Sequence, residues 1–135
     1  MRARSPQDPL ISGDWLAGDF YLHEIASDVE PMIHFSRAKR PEIVVFGLDQ
    51  TVADDFLHVE RGELTVRGNG NGTLTVTLYS SQYGDDGEQK ITCSNKVSDV
   101  IRTLAKLGFG YSRMLKIFRN AKQADMVNTL SLIHI

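Results

Sequence analysis

Hydrophobic and polar residues alternate along the middle of the chain, which is the pattern of half-buried β-strands. In residues 63–67 and 73–79, apolar side chains such as Leu64 and Val66 occupy every second position. The glycine-rich residues 68–72 between the two runs accept positive φ angles, as a hairpin turn requires. The pattern predicts an antiparallel β-hairpin here.

Other short runs also predict strands, at residues 19–26, 32–35, 43–46, 56–59 and 89–93. Two of them follow Pro31 and Pro41, and proline is tolerated at the first position of a strand. Residues 43–46 are apolar throughout, which favours a strand buried on both faces at the centre of the sheet. Strands linked by turns imply an antiparallel sheet, and we expect about five to six strands in it.

The apolar spacing then changes to that of two α-helices. The first apolar stripe follows Ser94 or Asn95 as candidate cap, ends before Gly108, and consists of Val97, Val100, Ile101, Leu104 and Leu107. The second follows Ser112 as candidate cap and consists of Met114, Leu115, Phe118 and Ala121. We therefore predict an α+β fold that ends in a helical hairpin.

The two ends of the chain differ from the middle. Residues 1–18 are rich in proline and glycine and are predicted to be a linker or the end of a preceding repeat region, with Trp15 and Leu16 docked onto the body. Residues 19–129 are predicted to form a single domain. Residues 130–135 match the translation of a common sequencing-library adapter, so we expect them to be an artefact.

Composition sets further limits. A chain of 135 residues with 41% hydrophobic and 24% charged residues suits one globular domain. It contains no run of about 20 apolar residues that would predict a membrane span. Cys93 is the only cysteine, so the sequence predicts neither an intramolecular disulfide nor a cysteine-based zinc site.

Several residues have functional side chains but no functional spacing. The glycine-rich residues 68–72 lead into a predicted strand, whereas phosphate-binding loops lead into a helix. The pairs Asp54-Asp55 and Asp85-Asp86 fit turns, and His23, His34 and His58 lie on three different predicted strands. Cys93 has no local signature of a nucleophile. We therefore predict no catalytic, cofactor-binding or metal-binding residues; an enzyme would need a pocket that gathers His34, His58 and Asp54 or Asp55.

Charge is distributed unevenly. Residues 96–122 carry seven basic side chains and one acidic side chain, a net charge of +6, whereas residues 1–95 have a net charge of −7. The candidate partner-binding residues of the second helix are Arg113, Lys116, Arg119 and Lys122. Three interpretations remain open: a solvated polar face, an anionic partner such as nucleic acid or an envelope polyanion, and the acidic body of a neighbouring copy.

A family resemblance adds a functional expectation. Residues 31–47, PMIHFSRAKRPEIVVFG, resemble a segment near the C-terminus of long bacterial proteins identified as flagellar basal-body P-ring proteins. The similarity continues through residues 93–102, CSNKVSDVIR, and residues 106–111, KLGFGY, into the second helix. The family usually has proline where this chain has Ser112, and the ring-forming region is absent from the chain.

The resemblance implies a periplasmic, non-catalytic structural or protein-interaction domain of the flagellar basal body. The expected partners are proteins, either other copies of the chain or basal-body components, without a cofactor. Nucleic acid is not the expected partner. An anion-binding module built on the basic helical hairpin is the alternative.

Overall fold

The described part of the chain forms nine strands and two helices, confirming the α+β class with its helices near the C-terminus. The computed structural model describes residues 11–17, 19–25, 31–37, 41–47, 49–79, 88–128 and 131–134. The strands are β1 (Ile11–Ala17), β2 (Phe20–Ile25), β3 (Met32–Ser36), β4 (Glu42–Phe46), β5 (Leu57–Glu60), β6 (Leu64–Gly68), β7 (Thr73–Tyr79), β8 (Glu88–Ser94) and β9 (Ser131–His134). The helices are α1 (Val97–Lys106) and α2 (Tyr111–Gln123).

The strands divide between two sheets, where we expected one. The first is a mixed five-stranded sheet with the order β1-β2-β4-β3-β9, in which β4 is central as predicted. Its Ile43 and Val45 are buried, but Val44 and Phe46 on the other face are only half-buried. Strand β4 lies between β2 and β3. It runs antiparallel to β3, which precedes it in the chain, and parallel to β2.

The two ends of the chain contribute the outer strands of this sheet. Residues 11–17, which were not predicted to be a strand, form β1 and pair antiparallel with β2. Residues 11–17 contain glycine and have only a weak intrinsic preference for β structure, so the backbone hydrogen bonds to β2 decide that they form a strand. Strand β9 pairs parallel with β3. Whether residues 130–135 are an adapter product stays a prediction, as do the domain boundaries.

The second sheet is an antiparallel meander with the order β5-β6-β7-β8. The predicted hairpin over residues 68–72 joins β6 to β7, and Gly70 and Gly72 adopt the positive φ angles that this turn needs. Gly68 is required for another reason: a Cβ atom there would lie 2.1 Å from the backbone oxygen of Asp54. The turn predicted at residues 85–87 lies outside the described residues.

The two sheets and both helices share one hydrophobic core. Each of the two predicted helical stripes lies in this core, apart from Leu107, which is half-buried at the end of α1. Helix α1 ends as predicted at Gly108, which has a φ of 96°. The N–H groups of Gly108 and Phe109 donate to the carbonyls of Ala105 and Leu104, which is the Schellman arrangement.

The helix N-termini differ from the prediction. Helix α1 has Lys96 at its N-cap, and Ser94 instead accepts a hydrogen bond from the Lys96 N–H. Helix α2 has Gly110 at its N-cap, so Ser112 lies inside the first turn. The α2 cap comes from the start of β2, where the Asp19 carboxylate accepts a hydrogen bond from the Tyr111 N–H at 3.0 Å. A side chain 92 residues away in sequence therefore does the work expected of a local serine.

Candidate functional site

Strand β5 is inverted relative to the usual distribution of polar and apolar side chains. Its polar His58 is buried at 6% exposure, while Leu57 and Val59 are each 58% exposed. A shift of one residue in register would bury the aliphatic pair, but it would expose Phe56, which is buried just before β5. We call Leu57 and Val59 the apolar strip, because they lie two residues apart on the solvent side of this edge strand.

A network of charged groups holds β5 in this orientation. His58 Nε2 lies 2.9 Å from the Glu60 carboxylate, and Arg113 of α2 donates to Glu60 at 2.6 Å and to Glu63 at 2.9 Å. The Arg113 guanidinium also stacks over the ring of Phe109, 4.6 Å from its centre. These contacts attach α2 to β5 and compensate for burying polar groups beneath the sheet.

The network also sets the protonation state of Glu60. Burial alone would raise the pKa of this carboxyl, but the hydrogen bonds from His58 and Arg113, together with their positive charges, outweigh it and leave the pKa lowered. Glu60 is therefore held in its ionised form, which suits an acceptor for Arg113. It has the properties of a structural group and not those of a proton-transfer group tuned to neutral pH.

The solvent face of the second sheet continues from the apolar strip across β6, β7 and β8. Val59 pairs with Thr65 and Leu57 pairs with Arg67. Beyond them lies a groove with a volume of about 410 Å³, lined by Thr65, Arg67, Gly68, Asn69, Thr75, Thr77, Tyr79, Glu88 and Lys90. We call it the hydroxyl groove. The same sheet face thus changes from apolar at β5 to polar at β7.

The four basic residues singled out from the sequence do not have equivalent surroundings. Arg113 is held by Glu60 and Glu63 and faces the sheet, so its charge is already compensated. Lys116 and Arg119 are exposed, and Lys122 is half-buried. The basic side of α2 is therefore smaller than the sequence suggested, and Lys116 and Arg119 are its exposed part. Nothing else in the geometry tests these residues as a partner site.

The three histidines are not brought together. His23 and His34 lie on the first sheet and flank Val44, whereas His58 belongs to the second sheet. His23 contacts Glu42 at 2.7 Å. Across the described part of the chain, no group of three or more His, Cys, Asp or Glu side chains is arranged to hold a metal ion.

The acidic pair and the cysteine have structural surroundings. Asp54 accepts a hydrogen bond from the Gly72 N–H, and Asp55 is exposed; Asp85-Asp86 lies outside the described residues. Burial raises the pKa of the half-buried Cys93 thiol, a hydrogen bond with Thr103 opposes this, and the charge of Asp99 adds to the increase. Cys93 is thus mainly an un-ionised thiol, which is a poor nucleophile.

Comparisons with known proteins indicate no class narrower than the α+β fold. No family model matches the chain, and neither a curated protein nor a solved structure matches it. Within the described ranges, neither helix has the length and apolar character that crossing a membrane requires. The fold and site together define an α+β domain with an inverted edge strand and a polar groove beside it.

Proposed function

We propose that this chain is a non-catalytic protein-interaction domain that binds its partner through the apolar strip of β5. One observation supports the proposal above the others: the strand buries His58 and exposes Leu57 and Val59. Covering each aliphatic side chain fully is worth about 1.5–3 kcal/mol, so leaving both outside forgoes part of this stabilisation. A partner surface that covers the strip would recover it.

The edge position of β5 suits the same role. Exposed edge strands are sites of association between chains, and proteins usually protect them with charged residues, proline or a bulge. On the solvent side β5 carries Leu57 and Val59 instead, with Arg67 and Thr65 as their cross-strand neighbours. An apolar centre with a polar rim is the composition of many protein interfaces.

The resemblance to flagellar P-ring proteins suggests where such a partner would be found. We propose that the domain acts in the periplasm, as a structural or interaction module of a P-ring-like protein, and that the strip contacts a basal-body protein. The anion-binding alternative, through Lys116 and Arg119, is less favoured because Arg113 is occupied by two carboxylates.

Two double variants separate these functions. In the parent protein, Leu57→Ser with Val59→Ser removes the apolar strip, and Lys116→Glu with Arg119→Glu reverses the exposed charges of α2. The proposal expects the first pair to impair motility and basal-body assembly and the second to leave both unchanged. All four side chains are exposed, so we expect both variants to fold as the unaltered protein does, which thermal unfolding would check. Normal motility of the first pair would contradict the proposal.

A further inference from the structure

The hydroxyl groove on the second sheet has a lining rich in hydroxyl groups. Thr65, Thr75, Thr77 and the Tyr79 phenol all line it. Thr77 is only 7% exposed although it lies on the solvent side of β7, so it forms the floor of the groove between longer side chains. A volume of about 410 Å³ falls within the range of small-ligand sites, roughly 300–1,000 Å³.

Hydroxyl groups determine which ligand would fit. Thr75 donates its hydroxyl to Asn69 at 3.1 Å, and the hydroxyls of Thr65 and Tyr79 lie 3.4 Å apart. Each of these hydroxyl oxygens can still accept a further hydrogen bond, which matches a ligand that carries hydroxyls of its own as donors. Asn69 lies at one end of the groove, where its amide donates to Thr73 and accepts from Thr75. Tyr79, which is 39% exposed, supplies a flat ring against which the carbon–hydrogen face of a sugar can pack.

Two cations give the groove a preference for charge. Arg67 and Lys90 line it on the strands that flank β7. Neither forms an ion pair with any residue that the structure describes, in contrast to Arg102 and Arg113, which hold carboxylates. Among the described residues of the lining, Glu88 is the one carboxylate, so their net charge is +1. A guanidinium favours a carboxylate, which it can bind through two parallel hydrogen bonds.

From this lining we infer that the hydroxyl groove binds an acidic oligosaccharide. Arg67 and Lys90 would bind its carboxylates, the threonine hydroxyls would hydrogen-bond to its hydroxyls, and Tyr79 would pack against a sugar ring. The groove is open and lies along the sheet, which suits a segment of a chain. This inference goes beyond the proposed function and does not depend on it, because the apolar strip is not part of the groove lining.

Titration calorimetry with the 135-residue chain tests the inference. The probe is a tetrasaccharide of galacturonic acid; the comparison ligands are the neutral tetrasaccharide maltotetraose and a hexaglutamate peptide. We expect saturable binding of the acidic tetrasaccharide and at least about tenfold weaker binding of both comparison ligands. Maltotetraose lacks the carboxylates that would bind Arg67 and Lys90, and hexaglutamate lacks the hydroxyls and the sugar rings. No binding of the acidic tetrasaccharide, or equal binding of either comparison ligand, would overturn the assignment.

Variants locate the binding. Lys90→Gln and Tyr79→Leu alter exposed side chains of the groove, and each should weaken binding by about tenfold. Thr92→Val is the matched control, because Thr92 is exposed on β8 but does not line the groove. It should bind as the unaltered chain does. Unchanged affinity in both groove variants would show that the acidic saccharide binds elsewhere and would contradict the inference.

Discussion

The contact between Asp19 and helix α2 allows a quantitative test of the fold. The Asp19 carboxylate accepts the Tyr111 N–H at 3.0 Å, and a Cβ atom at Gly110 would lie 2.7 Å from both Asp19 carboxylate oxygens. A side chain at position 110 would therefore displace the Asp19 carboxylate from its place at the α2 N-terminus. Asp19 and Gly110 should behave as one energetic unit.

The single variants should both destabilise the domain. Replacing Asp19 by alanine removes the cap and a negative charge from the helix N-terminus, at a cost of about 1–2 kcal/mol. Gly110→Ala forces the carboxylate away and loses the same cap. Alanine is otherwise acceptable at this φ of −100° and restricts the unfolded chain, which returns about 0.4–1 kcal/mol.

The double variant gives the decisive comparison. Once the Asp19 carboxylate is absent, the three atoms nearest to the new Cβ are gone. The unfavourable N-cap preference of alanine then roughly offsets its effect on the unfolded chain, so Gly110→Ala should be nearly neutral in the Asp19→Ala protein while it destabilises the unaltered chain. Urea unfolding followed by circular dichroism measures all four free energies of unfolding. Ser112→Ala is the control and should change stability by less than about 0.5 kcal/mol. Additive effects of Asp19→Ala and Gly110→Ala would refute the reasoning.

Three further predictions follow from buried contacts. Because the pKa of Glu60 is lowered in the folded state, its ionised form stabilises the fold at neutral pH, and this contribution is lost as the pH falls through that lowered value. Glu60→Gln should cost about 1–2 kcal/mol at neutral pH and progressively less in acid, as unfolding at a series of pH values would measure; a pH-independent cost would contradict this. Gly68→Ala should lower the free energy of unfolding by at least about 3 kcal/mol, because the new Cβ meets the rigid Asp54 carbonyl. Gly70→Ala places its Cβ in open space and should cost only about 1–2 kcal/mol, from its positive φ. Urea unfolding measures both, and equal costs would argue against the clash. Cys93 should react with iodoacetamide more slowly in the folded chain than in urea, as mass spectrometry would measure, and equal rates would contradict its raised pKa.

Local patterns predicted the elements of this fold better than their arrangement. The alternation at Leu64 and Val66 and the glycine turn sufficed for the β6–β7 hairpin, and the apolar stripes sufficed for both helices. The division into two sheets depends on long-range pairing, such as β2 beside β4, which no short pattern encodes. Strand β1 was missed for the same reason, because its backbone partner decides its structure.

The candidate site was hidden from the sequence for a different reason. In residues 56–59 the alternation places Phe56 and His58 on one face and Leu57 and Val59 on the other, so the pattern does not decide which pair is buried. The structure buries His58 because Glu60 binds both His58 and Arg113 beneath the sheet. Arg113 was singled out as a basic residue of α2, but its partners lie more than 45 positions earlier in the chain, at Glu60 and Glu63. Contacts over that separation cannot be deduced from spacing alone.

The central claim, that the apolar strip of β5 meets a protein partner, is tested most directly by crosslinking in cells. A photoreactive amino acid is placed at position 57 of the parent protein, with position 120 as the control, since Asn120 is exposed on α2 and is not part of the apolar strip. The account predicts a light-dependent crosslink from position 57 to a defined basal-body protein, and none from position 120. Absence of that crosslink from position 57, in cells that carry the protein and assemble motile flagella, would contradict the account.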